Sequence, residues 1–306
     1  MYIYMNEYLL FLIIVCIIIH IYGINYFSNE HNINKWSVNL ALCLSHVYNI
    51  LFKVKKNKNH NIPKIIWQTY KTKIVPIDAK NAHDTWIKEN PNWKINLYDD
   101  NDIELYIIKY WGNKMLNFYK NLPIGAMKAD LWRYLILYTY GGVYSDIDSV
   151  CNRPIDSWIY DLKLRNKEQV LLIALEHNNI YFCQWTILAT ANHPGMKHIC
   201  NYVLLNYEKN GIDLTDPDFV FNTTGPSVWT DAIIDYLNLK PLITAKDVYN
   251  YYVLNKKEIE NKGIYFIPFY TFTFNYVVNL VGSSTFSNDY ESWKDESARI
   301  KKVRLV

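Results

Sequence analysis

The chain has 306 residues, enough to bury one sizeable core with small additions. Charged residues reach only 20% while aromatics reach 16%, including 27 Tyr and 10 Trp, a composition suited to half-buried faces that stack on sugars or bases. The net charge of +3 is small and spread along the chain, without the basic stripe that a nucleic-acid partner requires.

In chain order, residues 9–19 form an uninterrupted apolar run. With its flanks it approaches the length that spans a bilayer, and it lacks the basic leader and small-x-small site of a cleaved signal. Residues 1–27 are therefore expected to be an uncleaved, single-pass membrane anchor. Residues 28–60 are expected to be a stem with an interfacial helix over 36–52, followed by the basic cluster Lys53–Lys58. Residues 61–306 are expected to be one catalytic domain. Cys16, Cys43, Cys151, Cys183 and Cys200 have no metal-type spacing and read as small buried hydrophobes.

The domain opens with an apolar strand over 62–70, started by Pro63. A helix over 78–90 stops at Asn90-Pro91, and Trp93–Tyr98 alternates like a second strand. Asp99 to Asp102 cap a helix over 103–110. A helix over 126–140 then meets Gly141-Gly142 and a strand over 143–146. Residues 170–176 read as a buried strand, 180–191 are ambiguous, and 194–207 are helical. A loop over 221–227 precedes a helix over 228–237, and a late strand covers 264–268. Alternating β and α units with short links imply an α/β layered sheet with helices on both faces.

The most informative run is residues 128–153. Asp130 and Arg133, three apart, share a face of an otherwise apolar helix, where a planar guanidinium and an acceptor together can orient a sugar. Asp146-Ile147-Asp148 follows at a strand end, where two carboxylates can face one pocket. Such a pair suits a hard divalent cation, Mg²⁺ or Mn²⁺ rather than Zn²⁺, and through it a diphosphate.

This run resembles the DXD sugar-transferase family of initiation-type α-mannosyltransferases and inositol-phosphoceramide mannosyltransferases. More distantly it is similar to large clostridial glucosylating toxins. The resemblance covers about residues 62–293 and implies a GT-A type fold with a mostly parallel sheet flanked by helices. It also implies a metal-dependent enzyme that moves a hexose from a nucleotide sugar (GDP-mannose or a UDP-hexose) to a glycan, glycoprotein or glycolipid acceptor with retention. By resemblance Asp148 is the direct metal ligand, Asp146 contacts sugar or ribose, and Asp130 and Arg133 meet the donor's hydroxyls. Tyr144, just before the motif, reads equally as a residue that packs on the donor or as a core residue; by resemblance Trp67 lies near the base, with core packing as its alternative. Gln184 stands where the family usually has Asn, and Thr224-Gly225-Pro226 lines the acceptor side. Ser292 and Trp293 bind phosphate oxygens. The family's usual late His is absent, and Asn288 or Asp289 could supply the oxygen instead. A Golgi-type membrane follows by resemblance, yet the basic cluster on the C-terminal side of the anchor argues for the opposite orientation. Two other readings are a non-catalytic, membrane-tethered sugar-binding protein and a metal-dependent phosphohydrolase.

Overall fold

The computed structural model describes residues 61–279 apart from position 241, together with 294 and 297–299. The anchor and stem expectations fall on residues 1–60, outside the described residues. So do the expectations for Asn288, Asp289, Ser292 and Trp293. No helix among the described residues is long and apolar enough to cross a membrane.

The elements alternate from the start: strand β1 (Ile65–Thr69), helix α1 (Ile77–Glu89), β2 (Lys94–Tyr98), α2 (Asp100–Tyr110), α3 (Gly112–Asn121) and α4 (Gly125–Tyr140). Then come β3 (Gly142–Ser145), β4 (Ser149–Cys151), α5 (Ile155–Asp161), β5 (Leu171–Ala174), β6 (Thr186–Ala189) and α6 (Pro194–Asn210). The described part closes with α7 (Phe219–Thr223), α8 (Pro226–Leu237), α9 (Ala245–Leu254), α10 (Lys256–Asn261), β7 (Ile264–Ile267), α11 (Phe269–Asn275) and β8 (Val277–Asn279).

Six strands form one sheet in the order β2-β1-β3-β6-β5-β7. β6 runs antiparallel to both of its neighbours, and the remaining pairings are parallel. Five strands therefore deliver their C-terminal ends to one edge, where ligands of open α/β sheets gather. β4 and β8 form a separate antiparallel pair, with Ser149 opposite Asn279.

Strand alternation divides the core. Trp67, Tyr144, Ile173, Ile187 and Phe266 face a cluster completed by α2, α3, α4, α6 and α8. Ile66, Val143, Leu172, Leu188 and Ile267 face a second cluster that contains Trp86 of α1, Trp158 of α5 and Phe272 of α11. The result is a mixed α/β layered fold with helices on both faces of a central sheet. The cap expected at Asp99 is a reciprocal capping box with Asp102.

Several elements differ from the sequence reading. The ambiguous stretch 180–191 contains strand β6, and the loop expected over 221–227 shrinks to Thr224 and Gly225 between the end of α7 and Pro226 at the first position of α8. Helix α3 buries Met115, Phe118 and Tyr119 on one face, a spacing legible in sequence but passed over. The short strand β4 has no counterpart in the sequence reading.

Gly141 and Gly142 join α4 to β3 with φ of 63° and 97°. A Cβ on Gly142 would lie 2.4 Å from the Ile65 carbonyl, and one on Gly141 would lie 2.4 Å from the Ala191 amide nitrogen. Both positions need glycine for the left-handed backbone and for close packing of β3 between β1 and β6.

Candidate active site

Helix α4 is apolar nearly all round because it lies between the sheet and α6, and it carries Asp130 and Arg133 into this interior. Both side chains are about 95% shielded. Arg133 Nη2 lies 3.0 Å from Asp130 Oδ1 and 3.1 Å from Asp146 Oδ1, while Nη1 donates to the Gln184 carbonyl at 2.8 Å. Its guanidinium also stacks over the Tyr144 ring, 4.6 Å from the centroid.

Asp130 is satisfied from further directions. Gln184 Nε2 donates to Oδ1 at 2.8 Å, and the Thr224 hydroxyl donates to Oδ2 at 3.1 Å. Gln184 thus reaches Asp130 from the residues just before β6, and Thr224 reaches it from the end of α7. Tyr134, next to Arg133 on α4, places its hydroxyl 2.5 Å from Gln184 Oε1 and 2.8 Å from the Thr224 carbonyl. That contact fixes the Gln184 amide with its nitrogen toward Asp130. Tyr134 was not singled out from the sequence, although it stands four residues after Asp130 and therefore on the same helix face.

Asp146 leaves the end of β3 with its amide donating to the Trp185 carbonyl at 2.8 Å, and the Tyr144 hydroxyl donates to Oδ1 at 2.6 Å. The Ser149 amide donates back to the Asp146 carbonyl at 3.1 Å, so residues 146–149 form a β-turn with Asp146 first and Asp148 third. Ile147 is buried between the two carboxylates, and Asp148 is 3% exposed.

The electrostatics follow from burial. Desolvation pushes the Asp130 carboxyl up to about 7 against the pull of Arg133. Asp146 is raised for the same reason and is likewise opposed by Arg133. It keeps 27% of its side chain in solvent. Burial lifts the hydroxyls of Tyr134 and Tyr144 well above the ordinary tyrosine value, which keeps both as donors.

The structure thus brings Asp130, Arg133, Tyr144, Asp146 and Gln184 into one hydrogen-bonded cluster, with Asp148 two residues along the same turn. Trp67 stands apart from this cluster. It is 4% exposed, its indole N–H donates to the Gly141 carbonyl at 2.8 Å, and its ring packs against Tyr98 and Tyr140. Tyr144 is fully buried beneath Arg133. The donor atoms offered for a cation are carboxylate oxygens, which fit Mg²⁺ or Mn²⁺. Among the described residues no group of three or more His, Cys, Asp and Glu could hold a metal ion. The further oxygens expected from Asn288 or Asp289 lie outside those residues.

Residues 76–164 match the family model described as "Glycosyltransferase sugar-binding region containing DXD motif". An initiation-specific alpha-1,6-mannosyltransferase of Candida albicans is 30% identical over 208 residues, covering 58% of this chain and 53% of that protein. Its namesake in Schizosaccharomyces pombe is 32% identical over 205 residues, covering 58% and 49% respectively. The chain thus spans about half the length of these curated relatives. Among solved structures, "PaToxG Glycosyltransferase" aligns with a TM-score of 0.47 at 15% identity, covering 88% of this chain and 96% of that one. The matched region contains α4 and the D-x-D turn, and over it and in the two mannosyltransferase relatives this chain is similar to the DXD-containing glycosyltransferases.

Proposed function

We propose that the protein is a metal-dependent, retaining glycosyltransferase of GT-A type that moves a hexose from a nucleotide sugar to a glycan or glycolipid acceptor. The observation that carries this reading is the single Arg133 guanidinium bound to both Asp130 and the first D-x-D carboxylate at the C-terminal edge of the sheet. The names of the relatives favour mannose as the hexose that is moved.

Asp148 would hold Mn²⁺ or Mg²⁺, which when bound neutralises charge on the departing nucleoside diphosphate, and Asp146 meets the donor's sugar or ribose. Asp130, with Gln184 and Thr224 fixing its orientation, accepts hydrogen bonds from the donor's hydroxyls. Arg133 keeps Asp130 and Asp146 in register, so sugar and diphosphate are aligned by one ion pair. No side chain in the cluster is placed as a free nucleophile, since Asp130 and Asp146 are committed to Arg133 and Asp148 is assigned to the cation. The reaction therefore breaks the bond from the anomeric carbon to phosphate oxygen and forms one to the acceptor oxygen on the same face. The acceptor's proton passes to the leaving phosphate. The apolar run over residues 9–19 supports attachment to an endomembrane, with the domain starting near residue 61.

The test is a donor screen with Mn²⁺ that measures UDP or GDP release with and without mannosyl acceptors. Acceptor-stimulated release of one nucleotide is the expected result. Tight sugar-nucleotide binding without release would favour the sugar-binding reading.

A further inference from the structure

Two relays converge on one atom, the carbonyl oxygen of Asp146. It accepts from the Ser149 hydroxyl at 2.6 Å, the Ser149 amide at 3.1 Å and Gln68 Nε2 at 3.4 Å. A carbonyl has no proton to give, so this end fixes the direction of both relays. The Ser149 hydroxyl commits its proton to Asp146, so the Ser145 hydroxyl in contact with it must be the donor of that pair. Ser145 in turn accepts from the Thr186 hydroxyl at 3.0 Å. On the other side, Gln68 turns its amide nitrogen to Asp146, which leaves its oxygen to accept from the Nδ1–H of His83.

Gln68, Ser145 and Ser149 are fully buried and Thr186 is 3% exposed. Hydrogen bonds in such surroundings polarise one another and are costly to leave unmade. The relays also join separate parts of the fold, because Thr186 begins β6, Ser145 ends β3, Ser149 begins β4, Gln68 lies in β1 and His83 in α1. The Ser149 carbonyl is itself held by Trp86 Nε1 of α1 at 2.8 Å.

We propose that Thr186, Ser145 and Ser149 on one side, and His83 and Gln68 on the other, are positioning residues. They preset the 146–149 turn so that Asp146 and Asp148 stand ready before any ligand arrives. Without them, ordering the turn would be charged against donor and cation binding. The effect on turnover rests on the glycosyltransferase reading, whereas the ordering of the turn does not.

The experiment is hydrogen–deuterium exchange on the ligand-free full chain, following peptides that span residues 145–150. Ser149→Ala is expected to speed exchange of the turn amides by about 10-fold, and the near-isosteric Gln68→Met by about 3-fold. Loss of both should exceed the product of the single effects, because the two donors share an acceptor. Thr186→Val should accelerate exchange, and Thr186→Ser, which restores a hydroxyl, should return it to the wild-type rate. Calorimetric titration of Mn²⁺ into the same proteins should weaken in the same order. Wild-type exchange in both Ser149→Ala and Gln68→Met overturns the proposal, as does Thr186→Ser exchanging as fast as Thr186→Val. Should Ser149→Ala not fold, Gln68→Met and the Thr186 pair decide. A wild-type protein that binds no Mn²⁺ and releases no nucleotide would sink the glycosyltransferase reading alone, leaving the exchange result to judge the relays.

Discussion

Arg133 Nη2 lies 3.0 Å from Asp130 Oδ1 and 3.1 Å from Asp146 Oδ1, so one nitrogen joins the middle of helix α4 to the first carboxylate of the D-x-D turn. The remaining guanidinium nitrogens are held by the Gln184 and Ala129 carbonyls. Arg133 therefore acts as a strut between two acids, and its removal would leave the buried Asp130 and the partly exposed Asp146 without their shared cation.

Arg133→Met should lower unfolding free energy by about 3–5 kcal/mol, the scale for breaking a buried pair by deleting one partner. Arg133→Lys should recover part of that stability, since one ammonium can reach only some of the four acceptors. Urea unfolding of both variants checks the order. Equal stability for Lys and Met would show that the forked geometry does not matter.

Asp148→Ala should leave a folded protein that loses metal-stimulated transfer by about 100-fold or more, the scale of removing one preorganised electrostatic contact at the reacting centre. Circular dichroism and nucleotide release measured on the same sample separate the two effects. Turnover close to wild type with Mn²⁺ would remove Asp148 from the metal site.

The raised carboxyl of Asp130 gives a signed pH dependence. Burial holds it at about 7 in the folded chain against an ordinary value of 3.8, so between those values the native state binds more protons than the unfolded one. Its contribution to stability is then fully present below about pH 4 and is lost as pH rises through about 7. Asp130→Asn cannot titrate, so its unfolding free energy should fall less than that of wild type between pH 5 and pH 7.5 (values chosen on either side of the folded midpoint). Identical slopes would show that Asp130 is ionised throughout.

Trp67→Ala should destabilise the fold by about 3–5 kcal/mol, the range for emptying a buried aromatic site. Trp67→Phe keeps most of the packing and loses the bond to the Gly141 carbonyl, which should cost about 1–3 kcal/mol. Thermal melts should rank the two variants. If instead Trp67→Ala melts like wild type and nucleotide affinity drops, the ring serves the donor's base.

Much of the site was legible because its parts are close in sequence. Asp130 and Arg133 share a helix face, and the Gly-Gly break and D-x-D follow within one turn and one strand, so spacing alone puts them together. The partners that arrive from far along the chain were not legible by spacing. Thr224 reaches Asp130 from the end of α7, and Gln68 reaches the Asp146 carbonyl from β1; only the folded sheet brings them there. β6 was ambiguous because a strand of four residues, flanked by a hairpin and a loop, is too short for a period to emerge. Trp67 is the converse case, one where the sequence left two readings open. A residue near the end of an apolar strand reads equally well as surface or interior, and strand parity turns its ring into the core beside Tyr144.

The pairing of β4 with β8 has a consequence for how the protein is made. Ser149 begins a strand whose partner is residues 277–279, and β5 likewise waits for β7 at residues 264–267. A chain emerging from the ribosome can assemble β1, β2, β3 and α4 early, but the strand that follows the D-x-D turn stays unpartnered until nearly all described residues have been synthesised. Long-range pairings of this kind also form slowly once the chain is free. The acidic turn should therefore be among the last parts of the domain to become rigid, so a nascent chain would hold its helices well before it could grip a ligand.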